Sequence, residues 1–268
     1  MKKNVIVNFL KGMCIGGTMT VPGISGGSMA MILGIYDKLI SSVNKAVKFD
    51  KKSIIFLLEV LFGGGIGIVL FSGFVLKMIE LYTMPVTYFF IGAVLGGTPM
   101  IYRSAKVTKF TPSAIIYPII GIVIVSLIAL LPEGVFDPSL NSGVRGFFIQ
   151  IIGGVIIAIA LVLPGISVSQ MLLMLGLYET VMGAASSLNI LPIIPIAVGA
   201  LIGTLSTAKV MDKAMVKFPQ ATYLIIFGFV LGSVRELFPG VPFGFEIPLC
   251  ILTAALGFYV VYLISEKS

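Results

Sequence analysis

Two short stretches of the sequence have the residue types of an anion-binding site, and they are nearly the same stretch written twice. PGISGGS occupies residues 22–28 and PGISVSQ occupies residues 164–170. A Pro-Gly pair interrupts a helix, and the serines and glycines that follow it suit the first turn of the next helix. A helix N-terminus presents free backbone N–H groups and about half a positive charge. We therefore predict that both stretches bind an anion where a helix is broken.

The residues expected to contact this anion are small, hydroxylated or amide-bearing, so that the anion can approach the backbone and receive hydrogen bonds. They are Ser25, Gly26, Gly27 and Ser28 in the first stretch and Ser167, Ser169 and Gln170 in the second. Two helix ends supply roughly one unit of positive charge, whereas a phosphate carries about one to two negative charges. Arg103 and Arg235, which follow the matched runs GAVLGG and GFVLGS, are the candidates to supply the rest. Snorkelling at a membrane interface is the alternative role for both arginines.

Three acidic residues in or beside apolar segments are candidates for holding a coupling proton or cation. Asp37 and Glu179 occupy the same position after the two stretches, at the ends of GIYD and GLYE. Glu59 lies inside the third apolar segment. For Asp37 and Glu179, a position in the lipid headgroup region is the alternative interpretation.

Other kinds of chemistry lack the residues that they need. The sequence has no histidine and two cysteines, Cys14 and Cys250, both in apolar segments, so we expect neither a metal site nor a disulfide. It has no Walker loop and no nucleophile elbow. An intramembrane enzyme such as a lipid phosphatase would need a cluster of His, Arg and acidic groups. We therefore expect a protein that is not an enzyme and has no cofactor.

The composition indicates a protein that crosses a membrane many times. Hydrophobic residues make up 58% of the chain and charged residues 11%, with a mean hydropathy of +1.13, whereas a soluble domain has about 25% charged residues. Apolar runs bounded by charge, proline and glycine predict ten helical segments in an all-α fold. These segments span residues 5–21, 24–44, 54–79, 85–102, 112–131, 146–163, 166–188, 191–208, 219–234 and 246–264.

The two stretches belong to a longer internal repeat. GGGIG in the first half matches GALIG in the second, and TYFFIGAVLGG matches TYLIIFGFVLGS, in the same order along the chain. Because the matches keep their order, a duplication with halves at residues 1–133 and 144–268 explains them better than a chance likeness of glycine-rich segments. Each half contains five segments, an odd number. The halves are therefore predicted to lie inverted in the membrane, as in many secondary transporters.

Each Pro-Gly break is predicted to lie at the tip of a re-entrant hairpin, formed by residues 5–44 in the first half and 146–188 in the second. The chain after each break is apolar for about 13 residues, which as one half-helix spans roughly 20 Å, less than the ~30 Å hydrocarbon core. A pair of full-length helices kinked at proline is the alternative. Three helices complete each half: 54–79, 85–102 and 112–131 in the first, and 191–208, 219–234 and 246–264 in the second.

The basic residues predict the orientation. With the N-terminus inside, fifteen of the 18 Lys and Arg residues fall on the cytoplasmic side, and Lys77, Arg145 and Arg235 fall outside. Cytoplasmic loops of membrane proteins carry such an excess, so both termini are predicted to be cytoplasmic. The net charge of +7 is then a signal of topology. Membrane lipids are the expected partners, and nucleic acid is not.

Four stretches of the sequence resemble the bacterial polyprenyl-phosphate transporter family. They are VPGISGGSMAMILGIYDKLI, FFIGAVLGGTP, LVLPGISVSQMLLMLGLYE and GFVLGSVRELFP. The resemblance implies a flippase that returns undecaprenyl phosphate, the lipid carrier of cell-wall synthesis, from the outer to the inner leaflet of the bacterial cytoplasmic membrane. The second stretch departs from the Ser-Gly-Ser that we expect of the family, since Val168 and Gln170 stand there. The residues alone equally allow a secondary transporter of a soluble anion or an amino acid. They also allow a homo-oligomer.

Overall fold

The computed structural model describes residues 2–266 apart from 22, 109, 110, 133, 135–142, 188 and 190. Pro22 of the first stretch, and nearly all of the predicted link between the two halves, lie outside the described residues. The secondary structure of the described residues consists of α-helices and a 3-10 turn, with no strand. The predicted all-α fold is confirmed.

The described residues of the first half form six α-helices, which we number in chain order. They are α1 (Lys2–Met19), α2 (Gly26–Ile32), α3 (Tyr36–Ala46), α4 (Lys51–Leu81), α5 (Thr83–Ser104) and α6 (Ser113–Ala129). The second half repeats this order. It contains α7 (Gly143–Val162), α8 (Val168–Met174), α9 (Tyr178–Ser187), α10 (Ile194–Lys217), α11 (Pro219–Leu237) and α12 (Glu246–Glu266), with a 3-10 turn at Leu191–Ile193 before α10.

Five of the described helical stretches are long and apolar enough to cross a membrane. They are Lys51–Leu81, Thr83–Ser104, Gly143–Val162, Leu191–Lys217 and Glu246–Glu266. The first of them, α4, has 31 residues and is therefore roughly 46 Å long, more than the ~30 Å hydrocarbon core. Its outer face carries exposed side chains such as Leu61, Phe62 and Val69. A helix that is apolar on its exposed face is stable in lipid rather than in water, so the chain is a multi-pass membrane protein.

The segment after each Pro-Gly break forms two helices instead of one half-helix. The first, α2 or α8, has only seven residues. Two residues past its end comes Gly34 or Gly176, both with φ +67°. Glycine adopts this left-handed conformation without steric cost. The backbone N–H of the following residue then bonds back into the helix, Ile35 to Ala30 O and Leu177 to Leu172 O, each at 2.9 Å. The prediction of one half-helix of about 13 residues after each break is therefore wrong, because the chain turns at these glycines and the helix ends early.

Glycines bring the remaining helices together in pairs. A Cβ added at Gly63 of α4 would lie 2.1 Å from the Phe9 carbonyl oxygen of α1, and one at Gly199 of α10 would lie 2.0 Å from the Ile151 oxygen of α7. Only glycine allows backbones to approach this closely. In the same way α5 packs mainly on α12 and α6 on α11, while α5 and α11 contact each other. The two Pro-Gly breaks lie within this arrangement.

The loop before α4 shows why that helix begins where it does. Asp50 is the capping residue, and its Oδ2 accepts hydrogen bonds from the Ser53 backbone N–H at 2.9 Å and the Ser53 hydroxyl at 2.6 Å. These hydrogen bonds hold the pKa of the Asp50 carboxyl below its usual range. The helix therefore starts three residues before the predicted boundary at residue 54, in a polar sequence that hydropathy does not mark.

Candidate anion-binding site

The two Pro-Gly stretches are in contact in the folded chain. The Ser28 hydroxyl oxygen accepts a hydrogen bond from the Gly165 backbone N–H at 2.8 Å, across 137 residues of sequence. A Cβ added at Gly27 would lie 3.2 Å from Pro164 Cα. The backbone of the second break therefore lies directly against the first turn of α2.

The two breaks share their backbone conformation. Gly23 and Gly165 have φ of +84° and +86°, a left-handed conformation that favours glycine. Ser25 and Ser167 then precede α2 and α8 as capping residues, with φ/ψ of −88°/130° and −82°/125°. At Gly165 a Cβ would also lie only 2.5 Å from the backbone carbon of Phe229 in α11. The second break is thus held against α11 at a distance that excludes any side chain.

The capping serines differ in their partners. Ser167 is 4% exposed, and its hydroxyl oxygen accepts from the Gln170 backbone N–H at 3.5 Å. Ser25 is equally buried, but its hydroxyl has no hydrogen-bond partner in the described part of the chain. A buried hydroxyl without a partner costs free energy, and a bound anion at this position would accept a hydrogen bond from it.

Three hydroxyl hydrogens near the contact of the two breaks remain free to donate. Ser28 and Ser167 act as acceptors in their hydrogen bonds, and Ser25 has none. A hydroxyl that accepts one hydrogen bond still donates another. The described residues supply no acceptor for any of the three, so all three can donate to an anion. Ser169 and Gln170 lie half-buried in the first turn of α8.

A carboxylate that the sequence did not predict also lies here. The Gln170 side-chain amide lies beside the Glu236 carboxylate of α11. We assign Nε2 to the side that faces it, 2.6 Å from Oε2 and 3.2 Å from Oε1, because only this orientation places a donor against the carboxylate. The backbone of Glu236 borders the first break as well, since a Cβ at Gly23 would lie 3.7 Å from its carbonyl carbon. An acidic residue beside Arg235, in a helix that is otherwise without charge, was the signal that could have identified it.

Tyr36 links the end of the first repeat stretch to the second break. Its hydroxyl donates to the Val162 carbonyl oxygen at 2.8 Å, and Val162 is the last residue of α7. The final carbonyls of a helix have no partner within it, so Tyr36 satisfies one just before the break. Tyr36 and Tyr178 occupy matched positions in GIYD and GLYE, and this match could have indicated a role for Tyr36 that we did not predict.

The other predicted residues have partners outside the two stretches or are exposed. The side chain of Arg103 is 63% exposed and forms an ion pair with Glu266 at 2.7 Å, and Arg235 is exposed at the end of α11. Asp37 accepts a hydrogen bond from the Tyr223 hydroxyl at 2.6 Å. The remaining two candidates are Glu59, which accepts from the Asn8 amide at 2.7 Å, and Glu179, which is exposed.

The fold and the broken helices define a class of protein: a multi-pass helical membrane protein whose two helix breaks are in contact. Comparison with known proteins is more specific. The chain belongs to the undecaprenyl phosphate translocase-like family, whose model matches residues 15–243. This confirms the resemblance seen in the sequence.

Two relatives match over most of their length. A polyprenyl-phosphate transporter of Staphylococcus aureus is 32% identical over 248 residues, which are 88% of this chain and 87% of that protein. A polyprenyl-phosphate transporter of Vibrio cholerae is 26% identical over 250 residues, 88% of this chain and 78% of that protein. No solved structure matches the chain significantly.

Proposed function

We propose that this chain carries a polyprenyl phosphate across the bacterial cytoplasmic membrane, moving undecaprenyl phosphate from the outer to the inner leaflet for reuse in cell-wall synthesis. The family and the two relatives, both named polyprenyl-phosphate transporters, support the choice of lipid. The observation that carries the proposal is the contact of Ser28 with Gly165. Near this contact lie three serine hydroxyls, of Ser25, Ser28 and Ser167, that donate no hydrogen bond within the described residues.

In this proposal the phosphate binds at the first turns of α2 and α8. Its oxygens accept from the hydroxyls and backbone N–H groups of Ser25, Gly26, Gly27, Ser28, Ser167 and Ser169, with the Gln170 amide beside them. Hydrogen bonds to a charged acceptor are stronger than those between neutral groups. They would offset the cost of moving a phosphate out of water into a helical membrane protein.

The arginines would hand the headgroup to and from this site. Arg235 is exposed next to Glu236 in the last turn of α11 and would capture the phosphate from the outer leaflet. Arg103 would receive it at the inner leaflet after leaving Glu266, which is feasible because an exposed ion pair is weak. A guanidinium fork suits a phosphate better than the point charge of lysine.

Inverted repeats at residues 1–133 and 144–268, each with a re-entrant hairpin, would give this path its symmetry. The helix pairs support these repeats, because equivalent helices have equivalent partners. α1 packs on α4 as α7 packs on α10, and α5 packs on α12, the last helix of the other half, as α11 packs on α6. The excess of cytoplasmic basic residues supports cytoplasmic termini. Asp37, Glu179 and Glu59 remain the proposed coupling residues, and the bond from Tyr223 to Asp37 joins the first hairpin to the second half.

Ligand-dependent stability of the purified chain tests the substrate. A ligand that binds only the folded state raises its melting temperature, by roughly 5–10 °C at about a hundred times its Kd. We expect this shift with undecaprenyl phosphate and not with undecaprenol, inorganic phosphate or free amino acids. An equal shift with undecaprenol would contradict the phosphate site. A shift with inorganic phosphate or an amino acid alone would support the transporter of a soluble substrate instead.

A further inference from the structure

A cavity of about 470 Å³ lies between α1, α2, α3 and α4, next to the first Pro-Gly break. Gly26 and Gly27 of α2 form one part of its wall, and Leu61, Gly65 and Ile68 of α4 form another. Leu61 is 68% exposed and Ile68 is 44% exposed, so this wall also belongs to the outer surface of a membrane-spanning helix. The volume is that of a small-molecule site, about 300–1,000 Å³.

The lining of this cavity suits hydrocarbon. Only Tyr36 and Thr204 among its lining residues carry a polar side-chain group, and none carries a charge. The Tyr36 hydroxyl already donates to the Val162 carbonyl oxygen. A polar molecule would lose its hydration here without replacement hydrogen bonds, whereas an apolar chain loses nothing.

Glycines of α4 create the space. A Cβ added at Gly65 would have no atom within 4 Å, and one at Gly64 would have only the Gly12 carbonyl oxygen at 3.6 Å, an ordinary contact. Gly63 is different, because a Cβ there would clash with α1 at 2.1 Å. Helix packing therefore requires Gly63 but not Gly64 or Gly65, and side chains at the latter two positions would extend beside or into the cavity.

We propose that this cavity binds the first isoprene units of a polyprenyl phosphate while its phosphate lies at the two breaks. The inference rests on the proposed function. Gly26 and Gly27 belong both to the cavity wall and to the phosphate site, so headgroup and chain positions are continuous. The rest of the lipid chain leaves past the exposed face of α4 and stays in the bilayer.

Close packing is what this cavity adds to binding. A lipid chain is already in apolar surroundings in the bilayer, so its transfer gains little from the hydrophobic effect. It gains contacts with a shaped wall that an empty cavity lacks. The cavity thereby selects a long apolar alcohol phosphate over a free phosphate, which has the same headgroup chemistry.

Photo-crosslinking of the purified chain in lipid vesicles locates the lipid chain. The probe is a polyprenyl phosphate with a diazirine on the isoprene unit next to the phosphate. We expect labelling of cavity residues of α1 and α4, such as Ile15, Leu57 and Leu61, which excess unlabelled undecaprenyl phosphate abolishes. Peptide mass spectrometry identifies the labelled residues.

Cavity-filling variants make the test quantitative. Gly65→Leu, and Gly64→Leu as a second variant with a different side-chain direction, should reduce this labelling roughly tenfold, the scale on which overpacking acts. Gly73→Leu is the matched control, because Gly73 lies on the same helix with nothing within 4 Å of an added Cβ and does not line the cavity. Its labelling should equal that of the unchanged chain.

The outcomes separate the two proposals. Competed labelling that lies outside the cavity, or that both filling variants leave unchanged, overturns the cavity while leaving lipid-phosphate binding intact. If unlabelled undecaprenyl phosphate competes with no labelling anywhere on the chain, the proposed function fails and the cavity assignment fails with it. If a filling variant does not fold, the labelled positions in the unchanged chain decide.

Discussion

At the scale of single residues, the two capping serines differ in a way that bears on the proposed anion site. Ser167 has a partner in its own helix, at 3.5 Å from the Gln170 backbone N–H. Ser25 has the same backbone conformation and the same burial but no partner in the described chain. A structural role for both would predict the same hydrogen bond in both. The unpaired hydroxyl of Ser25 is therefore explained better by a ligand.

Ser25→Ala should separate stability from binding. Without lipid, removal of an unpaired buried hydroxyl should raise the free energy of unfolding by about 1 kcal/mol. With undecaprenyl phosphate, the lost donor should weaken binding roughly tenfold. Denaturation and lipid titration of the purified variant measure the two effects.

A matched control is Ser233→Ala, since Ser233 is also buried but its hydroxyl donates to the Val230 carbonyl oxygen at 2.9 Å. This variant should leave lipid binding unchanged. If Ser25→Ala instead lowers stability and binds lipid normally, the hydroxyl serves only the fold.

Glu236 should limit how tightly the phosphate is held. Its carboxylate lies against Gln170 at the second break, and a negative charge there repels an anion in surroundings of low dielectric. Glu236→Gln keeps an oxygen that accepts from Gln170 but removes the charge. We expect roughly tenfold tighter binding of undecaprenyl phosphate and slower transport, because the headgroup leaves less readily.

Titration of lipid binding and the transport rate in vesicles check this prediction together. Glu246→Gln, at an exposed position in the first turn of α12, should change neither. Unchanged affinity in Glu236→Gln would show that the carboxyl does not face the bound headgroup.

At the scale of helices, hydropathy located the segments but not their ends or interruptions. All ten predicted segments contain helix, because apolar runs and Pro-Gly breaks are local signals. The segment predicted at residues 191–208 ends before α10 does, since that helix continues to Lys217. Hydropathy marks contact with lipid, and a helix extends beyond it. Gly34 and Gly176 stop α2 and α8. Their matched positions in LGIYD and LGLYE indicate a helix end, but the prediction followed the continuous apolar pattern instead.

The site shows the same division between local and long-range information. The sequence predicts the serines and glycines as site residues, because their types and their place after Pro-Gly suit a helix N-terminus. It did not identify the Ser28 contact with Gly165, or Gln170 with Glu236. Both depend on how α2, α8 and α11 pack, and residue types in a single sequence do not specify such packing.

At the scale of the whole molecule, the proposed site takes residues from both predicted halves of the chain instead of forming once in each. Ser28 of the first half accepts from Gly165 of the second, and Tyr36 of the first half donates to Val162 of the second. The apolar cavity beside them lies almost wholly in the first half, lined by α1 to α4. The two similar stretches thus differ in their surroundings, since the first is buried and the second is more exposed.

Transport by the purified chain tests the central claim most directly. Vesicles containing it would receive undecaprenyl phosphate in one leaflet, and the loss of accessible headgroups would be followed. Gly26→Val is the comparison, because the three atoms nearest to a Cβ there all belong to the flexible Met19 side chain, with Sδ at 2.6 Å, so the fold should tolerate it. We expect the unchanged chain to move the lipid well above protein-free vesicles and Gly26→Val to lose most of that rate while remaining folded. Transport by the unchanged chain no faster than in protein-free vesicles, or equal transport by folded Gly26→Val, would contradict a lipid-phosphate path through the two breaks.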